Sequence, residues 1–297
     1  MKDKFGLTRI SMLILVATLA ACGGGGGGDA SSSSSSTGSP GSTPGAVNFS
    51  ATFPYFGPLR GNPSPIVGLS NDSWWWVEQA AAGRAVVINV GRDDGMGLRL
   101  HTEPGDSNVS GSGTLERNDV ALNFTNGVQG EESWWAHSIL FPDDFYVPPS
   151  SLPTSRAVVF DFHDTRNQGG QANFHIFVEP GGLLRFRGNA GPSVVMDAGN
   201  QYSYGADIGP LVKNTWYDFV YHVKWSENSD GFFQAWVNGV LKLDHRGPTL
   251  YQGYGVFLKL ANYHTPFGQS SSVIHDRVLR GTNWDAVSLT PLEGISQ

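Results

Sequence analysis

A few short stretches place proton-moving or anion-holding side chains two residues apart. Phe257-Leu258-Lys259-Leu260-Ala261-Asn262-Tyr263-His264 reads as a strand, and strand side chains alternate between two faces. Phe257, Lys259, Ala261 and Tyr263 then share one face, and Leu258, Leu260 and Asn262 the other. The same count puts Arg117 and Asp119 on one face with Leu115 and Ala121, and His175 on one with Asn173 and Phe177. It puts Asp161 and His163 with Val159, opposite Val158, Phe160 and Phe162, and Arg185 with Arg187, opposite Leu184 and Phe186. An imidazole titrates near neutral pH, a phenol can give up a proton, and a guanidinium can hold a carboxylate by two parallel bonds. Together these groups suit proton transfer beside a bound anion. An outward sheet face is polar in any sandwich; here its residues are Arg, His, Asn, Asp, Lys and Tyr, where Thr, Ser and Glu are ordinary.

The elements that must position them are strands. Helical periodicity is nearly absent, and the one helix-like patch, Val77-Glu78-Gln79-Ala80-Ala81-Ala82, stops at Gly83. Short alternating or apolar runs lie between Gly, Pro, Asn and Asp clusters. They predict strands at Ala85–Val90, Gly97–Thr102, Gly113–Phe124, Ser133–Phe141, Arg156–His163 and Asn173–Glu179. Further strands are expected at Leu183–Arg187, Trp216–Trp225, Gly231–Asn238, Val240–Asp244, Gly255–Tyr263 and Ser272–Arg280. Asn238-Gly239 between two of them is the strongest hairpin signal. Many strands at this spacing indicate an all-β sandwich or jelly roll.

Ahead of that domain, residues 1–22 read as an export signal. Lys2, Lys4 and Arg9 precede an apolar run from Ser11 to Ala21, too short to span a bilayer. The run ends Leu19-Ala20-Ala21-Cys22, which resembles the bacterial lipoprotein lipobox; that resemblance implies lipidation of Cys22, a membrane partner through the lipid, and, with Gly23 following, the outer membrane. Residues 23–46 are mostly Gly, Ser, Pro and Thr, a tether unable to bury apolar surface. Residues 47–297 read as one domain. Cys22 is the single cysteine, so this exported domain is held by its core without a disulfide. The formal charge of −7 argues against nucleic acid as a partner and asks for a local basic cleft if the ligand is a polyanion.

Four motifs in order over roughly residues 110–280 resemble the jelly-roll polysaccharide lyases, the group of heparin lyase I, glucuronan lyase and the alginate lyases. They are Leu258-Lys259-Leu260-Ala261-Asn262-Tyr263, Glu116-Arg117-Asn118-Asp119-Val120, Phe160-Asp161-Phe162-His163, and the run from Asn214 to Lys224 with the following Gly231 to Gly239 hairpin. Asp119 stands where the family has Glu, Ala261 where it has Gly, and Asp161 where alginate lyases have Gln. A carboxylate at 161 cannot donate to a substrate carboxylate unless protonated.

The resemblance implies a concanavalin-like sandwich of two antiparallel sheets with a concave groove, and β-elimination on a uronic-acid-containing polysaccharide. That reaction needs a cation or donor for the uronate carboxylate, a base for the C5 proton and an acid for the O4 leaving group. Arg117 and Asn173 are the expected carboxylate holders. His163 or Tyr263 is the base and Tyr263 the acid. Lys259 beside Tyr263 is expected to lower its pKa, and Arg185, Arg187, His175, Asp119 and Asp161 complete the substrate groove. Plainer readings stand beside these: an Arg117–Asp119 surface pair, a turn His163, solvated Arg185 and Arg187, and a supporting His222. The adjacent Trp74-Trp75-Trp76 and Trp134-Trp135 are expected mostly in the core. No cofactor is required; Asp93-Asp94-Gly95 and Asp106 leave room for a structural calcium ion. A monomer is expected. One rival is a non-catalytic glycan-binding jelly roll, favoured if His163 and Tyr263 lie too far apart for one sugar ring. The other, a laminarinase-type hydrolase, needs a Glu-x-Asp-x-x-Glu strand that the chain lacks.

Overall fold

The computed structural model of the protein describes residues 83–93, 95–106, 115–122, 127–165, 171–192 and 203–289 in full, and the backbone of 47–51, 57–58, 75–79 and 202. The chain divides into Met1–Ser42 and Thr43–Gln297. The expected signal, Cys22 and the tether lie outside the described residues.

The strands are β1 (Val47–Ala51), β2 (Gly57–Pro58), β3 (Trp75–Gln79), β4 (Ala85–Ile88), β5 (Gly97–Thr102), β6 (Glu116–Leu122), β7 (Glu132–Leu140) and β8 (Ala157–Asp164). They continue with β9 (Phe174–Val178), β10 (Leu183–Ala190), β11 (Tyr202–Pro210), β12 (Trp216–Lys224), β13 (Phe232–Val237), β14 (Val240–Arg246), β15 (Val256–His264) and β16 (Ser271–Gly281), followed by a short helix, α1 (Trp284–Val287). One sheet runs β11-β10-β9-β8-β15-β6-β3 and will be called the site sheet. The back sheet runs β14-β13-β12-β7-β16-β5-β4-β2, with β1 also on β16. The strand pairs are antiparallel, as the jelly-roll reading requires.

The inner faces meet in one core, where Phe160, Phe162, Phe174, Phe186, Leu258 and Leu260 of the site sheet pack with Trp135, Phe219, Tyr221 and Phe233 of the back sheet. Burial of such large apolar side chains is the main term holding a disulfide-free sandwich together. Trp135 is in this core, whereas Trp134 lies on the back sheet's outer face, stacked 4.0 Å from His222 and near Trp236 and Trp284. At the β13–β14 hairpin, Asn238 (φ 49°) and Gly239 (φ 79°) take the left-handed conformations that a two-residue primed turn demands.

Three expectations need correction. The helix-like patch is extended over residues 75–79, because β3 pairs with β6 and a sheet partner outweighs a weak local preference. Strands β1, β2, β3 and β11 and helix α1 carried no pattern that single-sequence reading caught; β11 contains Gly205 and Gly209 and ends at Pro210. The alternation assigned to β8 also slips. Ala157 and Val158 face Val178 and Phe177, but Phe160 faces Ile176, so Val159 is an extra residue on β8. Val159 turns into the core with Phe160, and Val158 joins Phe177 on the outer face.

Candidate active site

Register across the site sheet sorts the expected residues into rows. One row reads Arg117, Tyr263, Val158, Phe177, Arg185 and Asp207 across β6, β15, β8, β9, β10 and β11. A second reads Ala121, Lys259, Asp161, His175, Arg187 and Gly205. His163 faces Phe257, beyond the second row.

At one end, the Arg117 guanidinium carbon stands 4.6 Å from the centre of the Tyr263 ring. Its Nε donates to Asp119 Oδ2 at 2.8 Å, and Nη2 bonds the same oxygen. Asp119 is buried and opposes Ala261 on β15. The carboxylate thus fixes the guanidinium, and the guanidinium lies against the phenol ring. Burial raises the Tyr263 pKa; Arg117 works against that rise, Asp119 adds to it, and Arg156 and Lys259 weakly oppose it. The lowering expected from Lys259 is present but is the smallest contribution: burial outweighs it, the net shift is upward, and the cation against the ring is Arg117.

Lys259 belongs to a different group. Its Nζ is 3.7 Å from Asp161 Oδ2 and 5.8 Å from the centre of the Phe257 ring. Lys259 and Asp161 are both buried. Next in the row, His175 is buried, with Nε2 lacking a hydrogen-bond partner and its ring edge against Phe177 at 4.2 Å. Burial first, then the charges of Arg187, His163 and Arg156, hold its pKa well below the usual value, so it is neutral. Arg187 stands 6.0 Å from the Phe177 ring centre. Arg185 pairs with Asp207 at 2.7 Å in an exposed position.

His163 does not join Tyr263. Four residues of β8 lie between it and Val158, Tyr263's partner, a backbone separation of roughly 15–17 Å along the strand. Groups acting on one C5–O4 unit must each be within hydrogen-bond reach of it. His163 Nδ1 instead lies 3.2 Å from Asp164 Oδ2. Asn173 sits at this far end too: its backbone carbonyl accepts from Asn189, and its Nδ2 donates to the Thr249 carbonyl at 3.1 Å. Asn173 therefore stands at the opposite end of the site sheet's strands from Arg117.

Two groups escaped sequence reading. Arg156, exposed just ahead of β8, acts electrostatically on both Tyr263 and His175. Strict alternation placed it in phase with a core-facing Val158, and the Val159 bulge reverses that. The other group is polar and faces the core behind Tyr263: Asn118, Asn262, His264 and His275. His222 is remote from the site, on the outer face of the back sheet, bonded to Glu132 at 2.7 Å. Among the described residues no group of three or more His, Cys, Asp or Glu could hold a metal ion. Asp93 is on Arg277 and Asp106 on Arg84, each at 2.7 Å, while Asp94 lies outside the described residues.

The two antiparallel sheets, with a phenol, a clamped guanidinium and further arginines along one outer face, define a jelly-roll sandwich protein. A family model described as polysaccharide lyase matches residues 69–279, and the chain belongs to that family. Among solved structures, an endo-β-1,4-glucuronan lyase from the fungus Trichoderma reesei is similar at 17% identity, over 82% of this chain and 98% of that one, with a TM-score of 0.62. The alginate lyase Aly36B is similar at 16% identity, over 79% and 97% of the two chains, with a TM-score of 0.52. At such identities the likeness establishes the fold. No curated protein matches the chain.

Proposed function

We propose that this lyase cleaves a uronic-acid-containing polysaccharide by β-elimination, leaving a 4,5-unsaturated uronate, with Tyr263 as the proton-transfer residue and Arg117 as the carboxylate holder. The observation carrying the reading is the Arg117 guanidinium, fixed by buried Asp119 and stacked on Tyr263. A substrate carboxylate beside Arg117 is neutralised, which acidifies the neighbouring C5–H. The Tyr263 phenolate takes the C5 proton, the electron pair forms the C4–C5 double bond, and the C4–O4 bond breaks. The pair left on O4 then receives the same proton from Tyr263, which returns to phenolate. One residue serves as base and acid, so the reaction is a syn elimination. With His163 too distant for the base, this route uses only groups at one place.

Arg156, Arg185 and Arg187 supply the positive face for neighbouring uronates, and Lys259, Asp161 and His175 line the floor between. Anchoring through a lipidated Cys22 at the outer membrane belongs to the same proposal and would be read from the mass of the mature N-terminus. The test is a panel of alginate, glucuronan and heparin-like chains scored by ultraviolet absorbance of the unsaturated product. Absorbance with the natural chain and none with Tyr263→Phe is expected. The separation of His163 from Tyr263 favours a second reading, a surface glycan-binding module; binding to the panel without unsaturated product would establish it.

A further inference from the structure

The register of β15 contains a second irregularity, at the residue pair preceding Tyr263. Leu260 faces Phe160 and Tyr263 faces Val158, so Ala261 and Asn262 of β15 oppose the single residue Val159 of β8. Bulges bend a strand and re-aim the side chains that follow. The Ala261 carbonyl in this bulge accepts from His275 Nε2 of β16, in the opposite sheet, at 3.3 Å. The neighbouring Asn262 side chain turns inward and donates from Nδ2 to the Ser271 carbonyl at 2.8 Å and the Leu100 carbonyl at 3.1 Å, both in the back sheet. His275 and Asn262 are fully buried.

Inner faces of a sandwich are ordinarily apolar, and an amide or imidazole there is costly unless its bonds are made. Leu258 and Leu260 on β15, and Val120 and Leu122 on β6, obey that rule. On β15 and β6 the exceptions cluster behind the Tyr263–Arg117 pair. Asn262 opposes Asn118, which donates to the His101 carbonyl at 3.2 Å. His264 opposes Glu116, and its Nε2 is 2.7 Å from Thr102 Oγ1. Back-sheet groups thus hold the stretch of β15 that carries Tyr263, and apolar packing holds the rest.

We infer that His275 and Asn262 are positioning residues for Tyr263: from the opposite sheet they lock the Ala261–Asn262 bulge and so set where the phenol oxygen points relative to Arg117. Neither touches the substrate face, since both lie between the sheets. The inference rests on the Tyr263 reading above. Loss of the lock would let the phenol shift while leaving the binding face intact, so kcat should fall and KM should hold. A displacement near 1 Å is enough for a loss of about 100-fold in kcat.

The experiment compares His275→Phe, His275→Gln and Asn262→Ser with the natural chain and with His137→Phe on whichever polyuronate is cleaved. Gln keeps an N–H donor for the Ala261 carbonyl; Phe does not. His137 is buried at similar depth but neither ring nitrogen has a partner, so its variant controls for core disturbance. The expected result is a large kcat loss at unchanged KM in His275→Phe and Asn262→Ser, recovery in His275→Gln, and none of this in His137→Phe. Unchanged kcat in folded His275→Phe overturns the inference, as does a matching loss in His137→Phe. If His275→Phe does not fold, Asn262→Ser decides by the same split. Tyr263→Phe in the same series separates the two levels: if it is fully active, the Tyr263 reading itself fails, whereas an inactive Tyr263→Phe beside active His275→Phe removes only the positioning role.

Discussion

Lys259 Nζ lies 3.7 Å from Asp161 Oδ2, and both side chains are almost fully buried on the outer face of the site sheet. Taking one partner from a buried ion pair leaves a desolvated charge behind. Lys259→Ala is therefore expected to destabilise the fold by about 3 kcal/mol. The double variant Lys259→Met with Asp161→Leu should recover most of it. Urea unfolding of the three proteins measures this, and equal stability of the single and double variants would show that the pair is not coupled.

Tyr263 should impose an alkaline rise on turnover. Its pKa is raised by burial, so the phenolate needed to take the C5 proton is scarce at neutral pH. The log of kcat/KM should climb by about one per pH unit on the acid side of that pKa. A profile that is flat from pH 7 to 9 would argue that Tyr263 acts only as an acid and that another group takes the proton.

Arg117→Lys keeps the charge and loses the planar, two-nitrogen grip on Asp119 and the stacking on Tyr263. It should lose most of the turnover, close to Arg117→Ala, while circular dichroism stays native. Full activity in Arg117→Lys would reduce the residue to a point charge.

Acid should destabilise the fold below pH 6.5. Burial lowers the pKa values of His137, His175, His264 and His275, the last to about 3, so these imidazoles are neutral in the native state. The unfolded chain, with ordinary histidine pKa values near 6.5, takes up the protons first. Stability is therefore complete above about pH 6.5 and is lost as pH falls toward the folded values, by about 1.4 kcal/mol per pH unit for each histidine that remains neutral. Melting temperatures at pH 7.5, 6 and 5 read the trend, and His137→Phe should flatten it.

Most of the sheet framework was legible in sequence, because alternation and turn residues are local properties. The strands from Ala85 onward were found except β11, and the Asn238-Gly239 hairpin stands where its φ preferences put it. Arg117 with Asp119 and Lys259 with Tyr263 were also placed on one face by counting alone. The partnerships among them were not. A count along one strand does not carry the register of its neighbour, and one inserted residue reverses every face beyond it.

The sequence by itself determined an all-β sandwich whose arginines, histidines, lysine and tyrosine each share one face of their own strand, since a period of two is written into the chain. Only the tertiary structure decided which of these meet. The Val159 bulge turned Val158 and Arg156 outward, and β8 carried His163 away from Tyr263. The pairing of β15 with β6 set Arg117 against the phenol. Register is fixed by contacts between residues far apart in the chain, and the bonds from His275 and Asn262 that hold the Tyr263 bulge come from the opposite sheet.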